Sequence, residues 1–192
     1  MALRNNLLEA LTVALPTEIS SGTRAINTQS YIESNIKLGT QHEWARLVTN
    51  LAGLANSDTI FLTGNSPVIL KSRRIGYTGT GVNAFIYENP SYTGGTLSPT
   101  QNPNAINQVA TLSQVLINPS ISAVGFLIFS PEYSIGSTSQ QSKGSTSRET
   151  GQEKILKPNT AYLLRLTSID SQVESVTTSL SWYEGPLDLP RP

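Results

Sequence analysis

The sequence predicts an all-β protein built as an antiparallel β-sandwich. Only 14% of its 192 residues are charged and 38% are hydrophobic, with 14 Gly and 11 Pro, which is typical of strands joined by many turns and not of disorder. Short apolar runs follow one another at the close spacing of a sandwich or barrel. The clearest of them lie in the C-terminal third, where apolar and polar residues alternate with the two-residue period of a strand.

Two strands are predicted in that third, around a short polar turn at 169–173. The first strand places Tyr162, Leu164 and Leu166 on one face. The corresponding face of the second strand carries Val176, Thr178, Leu180 and Trp182. A hairpin alone is marginal in water, so the rest of the chain must supply the sheet against which this pair packs.

The other predicted strands precede this pair in quick succession. Gly64-Asn65-Ser66 predicts a hairpin turn between two of them, and TGTG at 78–81 turns the chain again. A loop dense in Pro, Gly and Asn occupies 89–104, and a polar, mobile loop is expected at 134–152. These strands are predicted at 31–38, 42–51, 59–63, 67–77, 82–88, 106–117 and 121–129.

The N-terminal segment 1–15 is the one stretch with a helical pattern. Leu3, Leu7 and Leu11 lie four residues apart, Leu8 flanks the same stripe, and Pro16 ends the helix. A helix this short needs a surface to dock on, which is either its own domain or, for an arm, a neighbouring subunit. The expected organisation is an N-terminal arm and connector at 1–30, a β-sandwich domain at 31–185 and a C-terminal tail at 186–192.

The 121–129 segment, ISAVGFLIF, is apolar on both faces. Val124 and Phe126 lie on one face of the predicted strand, and Leu127 and Phe129 lie on the other. Because a sandwich strand normally leaves one face in water, a second cover is expected here. The cover is a loop, the N-terminal arm or a sister subunit, since bare apolar surface of this size marks assembly or aggregation.

Few routes to a reactive centre remain, because the chain has no Cys and a single His. Disulfides and Cys-based zinc sites are excluded, and Arg46 stands where an H-E-x-x-H motif starting at His42 would need its second His. There is no G-x-S-x-G elbow for a serine nucleophile. We therefore expect a structural or surface role for His42, and no catalytic residue, metal or cofactor.

The remaining polar and aromatic candidates have plainer structural explanations. The 76–81 segment GYTGTG lacks the Lys and the helix of a phosphate loop, and the basic cluster Lys71, Arg73 and Arg74 is too small for nucleic-acid binding. The net charge of +0 favours neither nucleic acid nor an anionic membrane. Two tryptophans, Trp44 and Trp182, are expected in the core. A glycosidase pair could come from Glu43, Asp58, Glu88, Glu132, Asp170, Glu174 or Glu184.

An ordered set of motifs runs through the sandwich segment. It comprises HE at 42–43, TGNSP at 63–67, Pro90, TGG at 93–95, ILKPNTAYLLRLT at 155–167 and LSWYE at 180–184. In this order the motifs resemble the capsid decoration, or cement, proteins of tailed-bacteriophage heads, over about 31–184. The N-terminal arm and the 134–152 loop depart from that pattern, and both bear on how the protein would attach to a shell.

The resemblance implies a non-enzymatic, jelly-roll-like protein made in the host cytoplasm and placed on the outer surface of the virion capsid. Its partners would be the major capsid protein, whose subunit contacts it stabilises, and itself in a homotrimer, with no nucleic acid, membrane or cofactor. We expect the capsid or subunit contacts to include Leu3, Leu7, Leu8, Leu11, Val124, Phe126, Leu127 and Phe129. The alternative is a receptor- or glycan-binding domain of a phage tail or fibre, with the loops at 89–104 and 134–152 facing the sugar.

Overall fold

A computed structural model describes residues 17–19, 26–28, 31–135, 143–148 and 153–185. The helix predicted at 1–15 and the tail predicted at 186–192 lie outside these residues. In chain order the elements are β1 (Thr17–Ile19), β2 (Ile26–Thr28), α1 (Tyr31–Leu38), β3 (Gln41–Leu51), β4 (Asn56–Leu62), β5 (Val68–Thr78), β6 (Gly81–Glu88), β7 (Ser91–Thr93), β8 (Thr96–Ser98), β9 (Gln114–Ile117), β10 (Ser120–Ala123), β11 (Phe126–Leu127), β12 (Glu132–Ile135), β13 (Lys143–Arg148), β14 (Lys154–Leu156), β15 (Ala161–Ser168) and β16 (Glu174–Glu184).

Two antiparallel sheets carry most of these strands. In the first sheet β3, β16 and β5 lie side by side, and β13 and β14 pair in turn with the far edge of β5. In the second sheet β4, β15 and β6 lie side by side, β11 and β12 pair with the far edge of β6, and β9 and β8 extend the β4 side. Two separate ribbons, β1 with β2 and β7 with β10, complete the pairings.

The strand order is that of a jelly roll. The chain alternates between the sheets from β3 to β6 and crosses again from β15 to β16. If β11 with β12, and β13 with β14, each fill one strand position, four positions in each sheet follow the order of paired Greek keys, and β9 and β8 extend the second sheet beyond them. The predicted all-β, jelly-roll-like sandwich is therefore confirmed.

The core lies between the two sheets. Trp44, Leu180 and Trp182 come from the first sheet, and Phe61 and Tyr162 from the second. The rings of Phe61 and Trp182 meet edge to face, with centroids 5.1 Å apart and planes at 85°. This is a favoured geometry for aromatic pairs, so the two tryptophans belong to the core as the alternation predicted.

Both hairpins predicted from turn residues are wrong in the same way. The turn at 64–66 carries the chain from β4 in the second sheet to β5 in the first, and the turn at 169–173 carries it from β15 to β16. The apolar faces of the two strands therefore meet across the core and not side by side in one sheet. Alternation indicates which residues point inward, but it is blind to which sheet each strand joins.

The strand predicted at 31–38 is instead the helix α1. Its Glu33 and Lys37 side chains pair across one helical turn, with 3.1 Å between Oε1 and Nζ. Ile32 and Ile36 are also one turn apart, so this short segment fits both periods. Gly39 ends the helix with φ at 74°, a conformation that suits glycine.

The middle of the chain also departs from prediction. The predicted strand at 106–117 forms only its last four residues as β9, and the predicted loops at 89–104 and 134–152 contain strand residues of β7, β8, β12 and β13. The segment at 121–129 is split, because Gly125 at φ 83° lies between β10 and β11. A Cβ there would approach the Glu88 carbonyl oxygen to 2.2 Å, so the chain bends where only glycine fits.

Candidate assembly surfaces

The single histidine lies in the core, which agrees with the structural role and excludes the surface role that the sequence left open. His42 is buried, and its ring centroid lies 5.8 Å from that of Trp182. Burial lowers the pKa of His42, against a smaller opposite effect from the negative charge of Glu184. The His42 ring therefore packs in the core beside Trp182 as a structural side chain.

Glu184 fixes a loop onto the end of β16. One carboxylate oxygen, Oε1, accepts hydrogen bonds from Thr111 Oγ1 at 2.5 Å, Ser113 N at 3.0 Å and Trp182 Nε1 at 3.2 Å. The other, Oε2, accepts one from Leu112 N at 2.7 Å. Burial acts to raise the pKa of Glu184, but these hydrogen bonds outweigh it and hold the pKa below its usual range.

Three of the other candidate carboxylates serve ion pairs between strands. Asp58 on β4 receives two bonds of 2.8 Å from the guanidinium of Arg165 on β15. Glu88 pairs with Lys157 Nζ at 2.7 Å, and Glu132 pairs with Lys154 Nζ at 2.9 Å. Within the described ranges no three His, Asp or Glu residues gather as a metal site, and the carboxylates of Asp170 and Glu174 lie close together.

The basic cluster of the sequence is divided between the two faces of β5. Lys71 pairs with Glu153 and lies 4.7 Å from the centre of the Tyr183 ring. Arg73 points into the sandwich, where its guanidinium donates to the Phe85 and Arg165 carbonyl oxygens at 3.2 and 3.4 Å. Burial lowers the pKa of Arg73 to about 10, so it remains charged at neutral pH. A β-bulge opposite Ser181 and Trp182 causes this change of face, so Lys71 lies on the outer face with Arg74 while Arg73 points inward.

An apolar patch lies along the edge formed by β11 and β14, and we call it the edge patch. Phe126 is 75% exposed, and Leu127 and Ile155 are about half exposed. Phe126 pairs with Glu88 at the edge of the second sheet, and Lys157 binds the Glu88 side chain from the segment after β14, so β11 and the end of β14 lie at the same edge of the sandwich. Two large side chains of the predicted contact set are thus presented at the surface.

The other predicted contact residues are placed differently. Val124 is half-buried ahead of Gly125, and Phe129 packs on the core below the Lys154 ammonium, which lies 5.1 Å from its ring centre. Leu3, Leu7, Leu8 and Leu11 lie outside the described residues. That these side chains contact another subunit or a shell stays a prediction.

A second apolar patch, which we call the helix-cap patch, was missed from the sequence. It consists of Leu38, Ile106 and Val109, with Ile106 99% exposed. Asn102 and Asn104 donate to the last carbonyls of α1, at 2.7 Å to Gly39 O and 3.0 Å to Ile36 O. The recurring Asn between apolar residues at 102–109 was the available signal, but the segment was interpreted as loop and strand.

A shallow groove crosses the outer face of the first sheet. It has a volume of about 480 Å³ and is lined by Glu43, Arg74, Gln101 and the serines at 72, 179 and 181. Gln101 reaches the groove because its backbone N–H and carbonyl both bond Glu43 on β3, at 2.8 Å each. The lining offers hydroxyls, an amide and charges of both signs on a rigid three-stranded floor.

Known proteins give little guidance on these surfaces. No family model and no curated protein matches the chain. Two viral structures show a weak likeness: T=1 particles derived from infectious bursal virus, with TM-score 0.18 and 11% identity over 88% of this chain, and the VP2 subviral particle of infectious bursal disease virus, with TM-score 0.17 and 11% identity over 89%. The chain spans less than half of those chains, 45% and 46%. Values this low carry no argument, so the jelly roll rests on its own strand order.

No helix among the described residues has the length and apolar character needed to cross a membrane.

Proposed function

We propose that this protein is a non-enzymatic decoration protein on the outer surface of a bacteriophage head. In this role it binds the major capsid protein, stabilises contacts between capsid subunits and associates as a homotrimer. The observation that carries the proposal is a division of labour among side chains. The charged and polar side chains described above form hydrogen bonds and ion pairs that stabilise the fold. Large apolar side chains, in contrast, are exposed to solvent on segments whose backbone is hydrogen-bonded.

The two apolar patches have the chemistry of an assembly contact. Exposed Phe, Ile and Leu side chains on a fixed backbone lose little conformational entropy when a partner covers them. At about 25 cal/mol per Å² of apolar surface, a standard interface of roughly 1,600 Å² gives useful affinity, and repetition over a shell adds avidity. The ion pairs at Glu88 and Glu132 leave few free charges beside the edge patch, which favours a protein partner over nucleic acid or a lipid surface.

The leucine stripe of the N-terminal segment supplies a third apolar contact in this proposal. Leu3, Leu7, Leu8 and Leu11 form it on the predicted helix, beside the polar Arg4, Asn5 and Asn6. Because an isolated helix of this length is marginal in water, its ordering depends on the shell or on a sister subunit. The stripe would therefore contribute to attachment and not to the stability of the sandwich.

Binding to heads that lack the protein tests the function directly. Purified protein is mixed with such heads over a range of concentrations, and the bound fraction is measured after sedimentation. We expect saturable binding with a fixed ratio of protein to capsid subunits. Absence of binding by protein whose circular dichroism shows intact β-structure would overturn the proposal.

The groove on the first sheet favours a second candidate, a receptor- or glycan-binding domain of a phage tail or fibre. Gln101 comes from the 89–104 loop that this alternative invokes, and the serines and Glu43 could bond sugar hydroxyls. The test is binding of the purified protein to host polysaccharide, followed by the Gln101→Ala and Glu43→Ala variants. Loss of polysaccharide binding in both variants would favour this alternative over the decoration role.

A further inference from the structure

Two acidic residues meet at one end of the sandwich, where two crossings between the sheets lie together. Asp170 belongs to the turn between β15 and β16, and Glu174 is the first residue of β16. Both face the 78–81 turn between β5 and β6, through Gly79 and Thr80. The contacts described above do not explain why these two carboxylates lie together.

Among the residues that the structure describes, Glu174 is a buried carboxylate with no cationic side chain paired to it. It is 3% exposed, and neither of its carboxylate oxygens has a hydrogen-bond partner. The Ser168 hydroxyl lies nearby, but it donates to the Asp170 carbonyl oxygen at 3.5 Å and accepts a hydrogen bond from the Asp170 N–H at 3.2 Å. Leaving an ionised carboxylate in this position is costly unless a positive group joins it.

Asp170 is held firmly in place beside it. Its Oδ2 accepts hydrogen bonds from Thr80 N at 2.8 Å and Thr80 Oγ1 at 3.0 Å, and its Oδ1 accepts one from Gln172 N at 2.9 Å. These bonds orient the carboxylate and bring the Thr80 hydroxyl oxygen to the same place. The arrangement joins the turn after β5 to the turn after β15.

Gly79 leaves a cradle open between the two carboxylates. A Cβ on residue 79 would lie 2.6 Å from Asp170 Oδ2 and 3.3 Å from Glu174 Oε2, and φ there is 113°. The two oxygens are therefore within about 6 Å of one another, on either side of a space that any side chain would fill. After small side-chain movements, a cation that bonds carboxylate oxygens at roughly 2.3–2.6 Å could bridge two oxygens at this separation.

We propose that Asp170 and Glu174 bind a calcium ion in this cradle, with neutral oxygens of the two turns and water completing its coordination. The available donors are all oxygens, which excludes the nitrogen and sulfur ligands that zinc prefers. The irregular geometry suits calcium better than magnesium, which requires a near-ideal octahedron. Bound calcium would satisfy Glu174 and cross-link the two turns. This site is independent of the decoration role.

Calcium-dependent stability tests the site. Protein dialysed against a chelator is melted at increasing CaCl₂, and terbium luminescence, excited through the aromatic side chains, reports binding directly. The wild-type Tm is expected to rise with calcium and saturate, with a much smaller rise for magnesium. No rise in Tm and no terbium signal at about 1 mM metal, the weak end of the calcium range, would overturn the proposal.

Two variants locate the site. Glu174→Gln keeps the shape but removes the charge, so it should fold in chelator and lose at least about tenfold in calcium affinity, as expected when a ligand is removed. Glu43→Gln, in the groove on the first sheet, is the matched control and should bind calcium as wild type does. An unchanged calcium response in Glu174→Gln would contradict the assignment. If that variant fails to fold, Asp170→Asn provides the same test by terbium luminescence.

Discussion

At the scale of single residues, a few polar side chains attach connections to the strands beneath them. Glu184 holds the 111–113 segment, the Asn102 amide caps α1, and Arg165 joins β15 to β4 through Asp58. Charged hydrogen bonds of this kind contribute about 1.5–3 kcal/mol each, more than neutral ones. The sandwich presents defined surfaces because its loops are fixed in this way.

Glu184→Gln should lower the free energy of unfolding by about 1–3 kcal/mol, because an amide replaces a carboxylate that accepts four hydrogen bonds. Urea unfolding at pH 7 measures the change, with Glu43→Gln as a control expected to stay within about 0.5 kcal/mol. The folded pKa of Glu184 is lowered, so this contribution is present above the unfolded pKa of 4.5 and is lost as pH falls through the folded value. An equal loss in both variants would show that the anchor has no special role.

His42 should titrate below pH 6.5 in the folded protein, because burial disfavours its charged form. As the only histidine it gives a single pair of imidazole NMR signals, and the urea-unfolded chain supplies the reference. A base with a lowered folded pKa makes stability fall as pH drops below the unfolded value, since only the unfolded chain then takes up the proton. A folded midpoint at or above the unfolded one would contradict the burial of this ring.

For single residues, the sequence predicted which side chains are buried better than it predicted to which face of a strand they point. Trp44 and Trp182 are in the core as expected, because their alternation along a strand needs no knowledge of the partner strand, whereas the core position of His42 was not predicted. Arg73 was not expected there, because a bulge shifts the period by one residue, and nothing local marks it. The Glu174–Asp170 pair depends on two turns that are distant in sequence, so spacing alone could not select it.

At the scale of elements, the short helix α1 and its cap set the shape of the helix-cap patch. Gly39 allows the chain to leave the helix, and a Cβ at this position would lie 1.9 Å from the Asn107 carbonyl oxygen. The Asn-rich loop therefore packs directly on the helix end. The patch forms only when this loop packs on a helix that is distant from it in the sequence, so the sequence alone did not reveal it.

Gly39→Ala should destabilise the protein by about 2–4 kcal/mol, through backbone strain at positive φ and displacement of the loop. Gly94→Ala is the matched control, because φ there is 64° and nothing lies within 4 Å of its added Cβ. It should cost only the strain, about 1–2 kcal/mol. Thermal unfolding of both variants gives the comparison. Equal losses would mean that the loop does not rest on the helix end.

Replacing Phe126 and Leu127 by Ser should weaken attachment to heads while leaving the free energy of unfolding within about 1 kcal/mol, because these side chains are exposed in the isolated chain. Sedimentation with heads measures attachment, and urea unfolding measures stability. Leu97→Ser is the control, since this exposed leucine lies on β8 at the other end of the second sheet. Attachment that is equally weakened by the control, or unchanged in the double variant, would remove the edge patch from the contact.

At the scale of the whole molecule, composition and alternation were enough for the fold class but not for the strand order. Low charge, frequent turn residues and the two-residue period predict a sandwich, since each strand must bury one face. The jelly-roll order depends on which strands meet after crossing between sheets, and β15 and β16 show that a turn between adjacent strands does not decide this. The resemblance to decoration proteins implied a jelly-roll-like sandwich, but the order of its strands was not predicted.

We propose that the whole molecule acts by covering and linking capsid subunits. The heat stability of DNA-filled heads tests this proposal most directly. Heads lacking the protein are heated with a DNA-binding dye, alone and with increasing amounts of purified protein. We predict that the temperature of DNA release rises with occupancy and levels off when binding saturates. Full occupancy with an unchanged release temperature would contradict the account.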